Sequence, residues 1–184
     1  MDRWSFHEEA QRLSARADVS DAPALLASFV VEVAGNPGAY ARRVRSALVA
    51  GVQLAIRGEF ESDELPESNV PGWFSSAGEC EVDDLAEVPE SIEGQRRYVE
   101  HRGEEPWEVQ DWLWSFEPGK RQWLWWDLTA AGGNVVQIWL YSRSEPVFQC
   151  EDVRWLAYSA GARAAVGPIL LPSQVWNGQT SLGI

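Results

Sequence analysis

Tryptophan is concentrated in one short stretch of the chain. The segment 108–128, EVQDWLWSFEPGKRQWLWWDL, holds five of the 11 tryptophans. An exposed set of indoles can stack sugar rings, planar ligands or a proline-rich peptide. The residues predicted for a ligand-binding face are Trp112, Trp114, Trp123, Trp125 and Trp139. The other interpretation is a covered core, because large exposed apolar patches are rare on monomers.

Acidic side chains are concentrated in a second segment. The chain has a net charge of −13, and residues 59–108 carry 16 acids against three arginines, which accounts for that whole excess. Such a field repels nucleic acid and anionic membranes, and it attracts basic proteins. The contacts predicted for a basic protein partner are Glu79, Glu81, Asp83, Asp84 and Glu87. The alternative is a solvated surface that only keeps the protein soluble.

The search for catalytic and metal-binding motifs is mostly negative. The sequence contains no HExxH, CxxC, GxSxG or GxxxxGK[ST] pattern, and its only histidines are His7 and His101. Cys80 and His101 could pair as nucleophile and base, but a buried thiol and a surface imidazole are the more ordinary interpretation. The acids EVDD at 81–84 lack the spacing of a calcium loop. We therefore predict no catalytic residue, no metal site and no cofactor.

Length and composition predict a single domain over residues 1–184. The chain is 45% hydrophobic and 23% charged, which is close to the globular average. No apolar run approaches the roughly 18 residues of a membrane span, and the N-terminus lacks the layout of a secretory signal. Two cysteines make no disulfide framework and fit a reducing compartment. We expect a soluble, cytoplasmic protein that binds neither membrane nor nucleic acid, and the sequence leaves its oligomeric state open.

The first third of the chain, residues 1–58, is predicted to be helical. In the segment 20–35, SDAPALLASFVVEVAG, apolar residues recur at helical spacing between a capping Ser or Asp and a terminal Gly35. Asn36 and Pro37 then begin a second helix, whose predicted buried side extends from Tyr40 to Ala55. The short connection predicts a packed helical hairpin. Residues 59–108 show no sustained period and are predicted to be an acidic irregular segment with short elements.

From residue 109 the apolar period changes to two. The segments DWLWSF, QWLWWDL and VVQIWLY predict three antiparallel strands joined by tight turns. A helix is predicted from Glu151 to a stop at Gly161, and the tail is predicted to form an edge strand interrupted by Pro168 and Pro172. The predicted fold class is therefore α+β, with an N-terminal helical hairpin on a three- to four-stranded antiparallel meander, followed by a C-terminal helix.

Three classes of function follow from these patterns. In size and charge the chain is similar to small acidic bacterial proteins that neutralise basic partners, such as toxin-immunity proteins. We therefore predict a small acidic protein that binds a basic protein through the segment 59–108. The alternatives are a small-ligand binder that uses the tryptophan-rich sheet face, and an enzyme without a recognisable motif.

Overall fold

The computed structural model describes residues 5–74 and 88–184. These residues combine six α-helices with a five-stranded antiparallel sheet of order β4-β1-β3-β2-β5, which confirms the predicted α+β class. In chain order the elements are α1 (Phe6–Arg12), β1 (Leu25–Val33), α2 (Pro37–Arg57), α3 (Val88–Arg102), α4 (Val109–Trp114), β2 (Leu124–Gly132), β3 (Val135–Tyr141), α5 (Glu151–Ser159), β4 (Ala162–Pro172), α6 (Ser173–Asn177) and β5 (Thr180–Ser181). Among the described helices, none is long and apolar enough to cross a membrane.

The helix predicted over residues 20–35 is wrong, because Leu25–Val33 is the inner strand β1, paired with β3 and β4. The spacing of four between Phe29 and Val33 fits a helical face and also a strand face, so the pattern was ambiguous. Valine and phenylalanine favour a pleated, covered surface, which agrees with the observed strand. In place of the predicted N-terminal hairpin of two helices, the structure has a strand followed by a helix.

Helix α2 begins as its sequence predicts. The side chain of Asn36 accepts a hydrogen bond from the backbone N–H of Ala39 at 3.0 Å, and Pro37 occupies the first turn. Gly58 ends the helix in the left-handed conformation with φ +67°. Gly51 lies against the ring of Phe116, where a Cβ atom would come within 2.5 Å of ring carbons. The absence of a side chain at position 51 thus sets how closely α2 approaches the loop after α4.

The first strand of the predicted meander is also wrong, because Val109–Trp114 forms the short helix α4. Trp112 meets Phe116, four residues later, edge to face, with ring centroids 4.8 Å apart. That contact belongs to helical spacing and has no equivalent on one strand, where both residues would lie further apart on the same face. Six residues are too few for the apolar period to separate the two structures.

The predicted hairpin from the other two segments is confirmed as β2 and β3, which pair in antiparallel register with Leu128 opposite Ile138. Gly132 and Gly133 carry the positive φ angles of its turn, 114° and 56°. The predicted C-terminal helix is confirmed as α5. The predicted edge strand is confirmed as β4, which extends the sheet beside β1 and ends at Pro172.

The sheet separates a large hydrophobic core from a small one. The large core joins side chains of β1, β2 and β3 to buried residues of α2, α4 and α5. The small core contains Leu26, Trp126, Trp139 and Trp176, and α6 supplies the last of these. Both faces of the sheet therefore carry buried apolar residues, although the face of the small core stays exposed at Val30, Val166 and Ile169.

Candidate functional site

The five tryptophans predicted as a ligand-binding face do not lie on one face. Trp112, Trp123, Trp125 and Trp139 are buried, and Trp114 is half-buried. Trp112 and Trp114 belong to α4, while Trp125 belongs to the large core and Trp139 to the small core across the sheet. A bulge between Trp125 and Asp127 shifts the alternation of β2 at this point. The interpretation of these tryptophans as part of a covered core therefore holds for most of them.

The residues predicted to contact a basic partner, Glu79, Glu81, Asp83, Asp84 and Glu87, lie outside the described residues. The same holds for Cys80 and for the EVDD acids at 81–84. His101 is described, and its Nδ1 lies 3.0 Å from the hydroxyl of Tyr158. Within residues 5–74 and 88–184, no group of three or more His, Cys, Asp or Glu side chains could hold a metal ion.

A cavity of about 530 Å³ opens between α4, the segment before β2 and the start of α5. Its size falls in the range typical of small-molecule sites, about 300–1,000 Å³. Four aromatic side chains form its apolar walls, namely Trp107, Trp114, Trp123 and Phe148. Polar residues complete the lining, namely Asp111, Ser115, Lys120, Arg121, Gln122, Gln149, Cys150, Glu151 and Asp152. The cavity thus combines aromatic surface with a few charged groups, which is the usual composition of a ligand site.

Asp152 supplies a buried carboxylate to this cavity. It stands in the first turn of α5, where the helix dipole favours an acid. Its Oδ2 accepts a hydrogen bond from Trp123 Nε1 at 3.0 Å, and its Oδ1 accepts one from the backbone N–H of Val153 at 2.9 Å. Burial raises the pKa of Asp152 to about 6, although the Val153 N–H and the charge of Arg121 act in the opposite direction. A buried acid with a raised pKa in a cleft is a recognised sign of a functional site.

Arg121 fixes the wall that carries Trp123. Its guanidinium carbon lies 4.1 Å from the ring centroid of Trp123 and 4.5 Å from that of Phe116. Its two terminal nitrogens donate to the carboxylate of Glu9 at 2.7 and 2.6 Å, and both side chains are fully buried. Because Glu9 neutralises this cation, Arg121 acts mainly to position the indole.

Lys120 and Glu151, two other charged groups of the lining, form ion pairs within the protein. Lys120 forms an ion pair with Glu117 at 2.5 Å and lies over the ring of Trp114, 5.5 Å from its centroid. Glu151 pairs with Arg102 at 2.8 Å and with Arg154 at 3.0 Å.

Cys150 brings a thiol to the same cavity. Burial raises its pKa to about 11, so the sulfur stays protonated at neutral pH. The thiolate is the nucleophilic form, and this environment disfavours it. Cys150 is therefore a poor nucleophile and serves as part of the apolar packing.

The sequence pattern indicates only part of this site. Trp114 and Trp123 belong to the predicted tryptophan set, whereas no pattern singles out Asp152, Trp107 or Phe148. In the sequence Asp152 is one of two acids at the start of a predicted helix, where the helix dipole favours them. Its partner Trp123 lies 29 residues earlier in the chain, so no local pattern could reveal the pair. The chain matches no protein-family model, and neither the curated proteins nor the solved structures include a match to it.

Proposed function

We propose that this protein binds a small organic ligand in the cavity between α4, the segment before β2 and α5. The observation that carries the proposal is the 3.0 Å hydrogen bond between Trp123 Nε1 and Asp152 Oδ2. It places an aromatic side chain and a buried carboxylate side by side in a cavity of about 530 Å³. Aromatic surface supplies contact area, and a single fixed polar group supplies orientation.

The cost of burying the Asp152 carboxylate supports this proposal. A carboxylate placed beside aromatic rings loses hydration, and its raised pKa is the measure of that loss. A ligand that donates a hydrogen bond to the carboxylate replaces the hydration that was lost on burial, and it thereby offsets the cost of burying the acid.

The sequence predicted a ligand-binding protein as one alternative, and the proposed cavity lies at a different place from the sheet face predicted there. Trp114 and Trp123 take part, and they do so at one end of the sheet instead of on its face. The capture of a basic protein and an enzymatic activity without a recognisable motif stay predictions, since nothing in the described residues tests them.

A screen of small molecules against a blocked cavity tests the proposal. Gln149 is exposed on the cavity lining, and Gln149→Trp is designed to fill the space beside Trp123. Gln174→Trp adds the same side chain at an exposed position of α6, away from the cavity, and serves as the matched control. Compounds that raise the melting temperature of the wild type and of the control should fail to stabilise Gln149→Trp. The proposal is wrong if every hit stabilises all three proteins equally.

A further inference from the structure

Building on the proposed function, we infer that the ligand of this cavity is an organic cation, with an amine or quaternary ammonium group held between the aromatic walls and the carboxylate of Asp152. The inference depends on the balance of charge around the cavity and on the chemistry of its walls.

The cations of the lining are neutralised by acids of the protein itself. Arg121 is bound by both carboxylate oxygens of Glu9, and Lys120 is paired with Glu117. An anionic ligand would have to compete with these acids for their partners. In the case of Glu9 the competition is severe, because breaking a buried ion pair leaves an uncompensated charge in the interior.

Two acids of the lining have no such compensation. Asp111 and Asp152 form no ion pair with another described residue. The Asp152 carboxylate accepts hydrogen bonds from neutral groups, namely the N–H groups of Trp123 and Val153 and the side chain of Ser115. The charge of Arg121 lowers the pKa of Asp152 but lies beyond ion-pair distance. The cavity therefore offers two carboxylates without an ion-pair partner beside its aromatic walls, and a cation is the ligand that supplies that partner.

The walls favour a cation for an independent reason. The faces of tryptophan rings carry negative electrostatic potential, and quaternary ammonium groups are recognised by cages of such rings. Trp107, Trp114 and Trp123 provide three indoles around one space, and Phe148 provides a fourth ring. Lys120 already lies over Trp114, and its side chain is 71% exposed, so a ligand cation can replace it there.

The ionisation of Asp152 then controls affinity. The groups around it are Arg121, Trp123, the Val153 N–H and Ser115, with Cys150 and Glu151 beside it in the lining. The carboxyl is protonated well below pH 6 and charged above it, since burial raises its pKa to about 6. A permanently charged ligand should therefore bind more weakly as the pH falls through that value, and a neutral ligand of the same shape should not respond.

Choline and its neutral isostere 3,3-dimethylbutan-1-ol give a direct test, followed by the indole N–H resonances of the full chain in NMR titrations. We expect choline to bind roughly tenfold more tightly than the isostere at neutral pH and to shift the Trp123 resonance. Lowering the pH of the wild type to about 5 should remove most of this preference. Asp152→Asn should remove it at neutral pH, while the matched control Asp63→Asn, an exposed residue away from the cavity, should retain it.

The outcomes separate this inference from the proposed function. Equal binding of the two probes or tighter binding of the isostere would overturn the cationic ligand and leave the cavity as a ligand site. A preference that survives both low pH and Asp152→Asn would overturn the part of the inference that assigns the carboxylate of Asp152 to the cation. If choline fails to bind while screened compounds occupy the cavity, the cationic ligand is likewise overturned and the cavity remains a ligand site. If neither the probes nor any compound depends on the cavity, the proposed function fails as well.

Discussion

Arg121 and Glu9 form a buried, bidentate ion pair that connects helix α1 to the segment before β2. The nitrogen–oxygen distances are 2.7 and 2.6 Å, and neither side chain is exposed. One carboxylate oxygen of Glu9 also accepts a hydrogen bond from the backbone N–H of Trp125 at 2.6 Å. Since Arg121 in turn stacks on Trp123, a contact between two distant parts of the chain holds one wall of the ligand cavity.

The first prediction concerns the stability of this pair. Glu9→Ala should lower the free energy of unfolding by about 3–5 kcal/mol, because it leaves the Arg121 cation buried without a partner. Glu8→Ala is the matched control. Glu8 is half-exposed and lies 4.0 Å from Arg12, so its loss should cost at most about 1 kcal/mol. Urea denaturation measures the free energy of unfolding of both variants. Similar losses in the two variants would contradict the structural role of the pair.

A double variant separates the pair from its environment. Glu9→Leu combined with Arg121→Met removes both charges and keeps apolar volume in the interior. It should recover much of the stability lost in Glu9→Ala. A double variant as unstable as the single one would show that the geometry of the pair, and not only its charge balance, supports the fold.

The second prediction concerns the pH dependence of stability. The pKa of Asp152 is about 6 in the folded protein and close to 4 in an unfolded chain. The folded state therefore binds this proton more tightly, and the contribution of Asp152 to stability is lost as the pH rises from about 4 to about 6. Asp152→Asn cannot ionise, so its stability relative to the wild type should increase over that interval and level off above it. A difference that does not change with pH would contradict the raised pKa.

The third prediction concerns the tryptophans. Trp125 is 1% exposed in the large core, and Trp125→Ala should cost about 3–5 kcal/mol. Trp114→Ala, at the half-buried cavity wall, should cost clearly less. Native emission should be shifted to the blue and quenched poorly by acrylamide, since most tryptophans are buried. Emission like that of free indole in water, or a loss below about 0.5 kcal/mol for Trp125→Ala, would contradict this packing.

The sequence predicted the parts of the fold whose local signals agree with one another. Helix α2 has a cap, a first-turn proline and a terminal glycine, and α5 has acids in its first turn. The β2–β3 hairpin has clear alternation and glycines at its turn. In each of these elements the apolar period, the boundary residues and the intrinsic preferences indicate the same structure.

The errors come from short apolar segments. In β1 the positions of Phe29 and Val33 fit both periods, and the strand is decided by β3 and β4, which pair with it from more than 100 residues later in the chain. In α4 the tryptophans alternate as in a strand, although Val109–Trp114 is a helix and Trp112 meets Phe116 edge to face. The cavity arises from the same tertiary packing, because it joins three segments that are separate in the sequence.

The acidic segment 59–108 leads to the last prediction. Its carboxylates at Glu61, Asp63, Glu64, Glu104 and Glu105 are exposed and form no ion pair with other described residues. Sixteen acids within these 50 residues repel one another, and this repulsion lowers the stability of the fold. We predict that the segment attracts a basic protein, with Glu79, Glu81, Asp83, Asp84 and Glu87 as its contacts. A partner can be sought by affinity capture from cell extract at low salt and released at high salt.

Reversal of charge tests whether those five contacts matter more than the acidity around them. Changing Glu79, Glu81, Asp83, Asp84 and Glu87 to lysine should slow association with the captured protein severalfold and weaken its dependence on salt, because steering acts mainly on the association rate. The matched control reverses the five exposed acids Glu61, Asp63, Glu64, Glu104 and Glu105, which gives the same net charge with the predicted contacts intact. Stopped-flow association is measured from about 0.1 M to about 1 M salt, over which the Debye length falls from about 10 Å to about 3 Å. If both variants slow association equally, the effect belongs to net charge alone. If neither does, the acidic segment is a solvated surface, because a steering field of this size cannot be reversed without changing the rate of encounter.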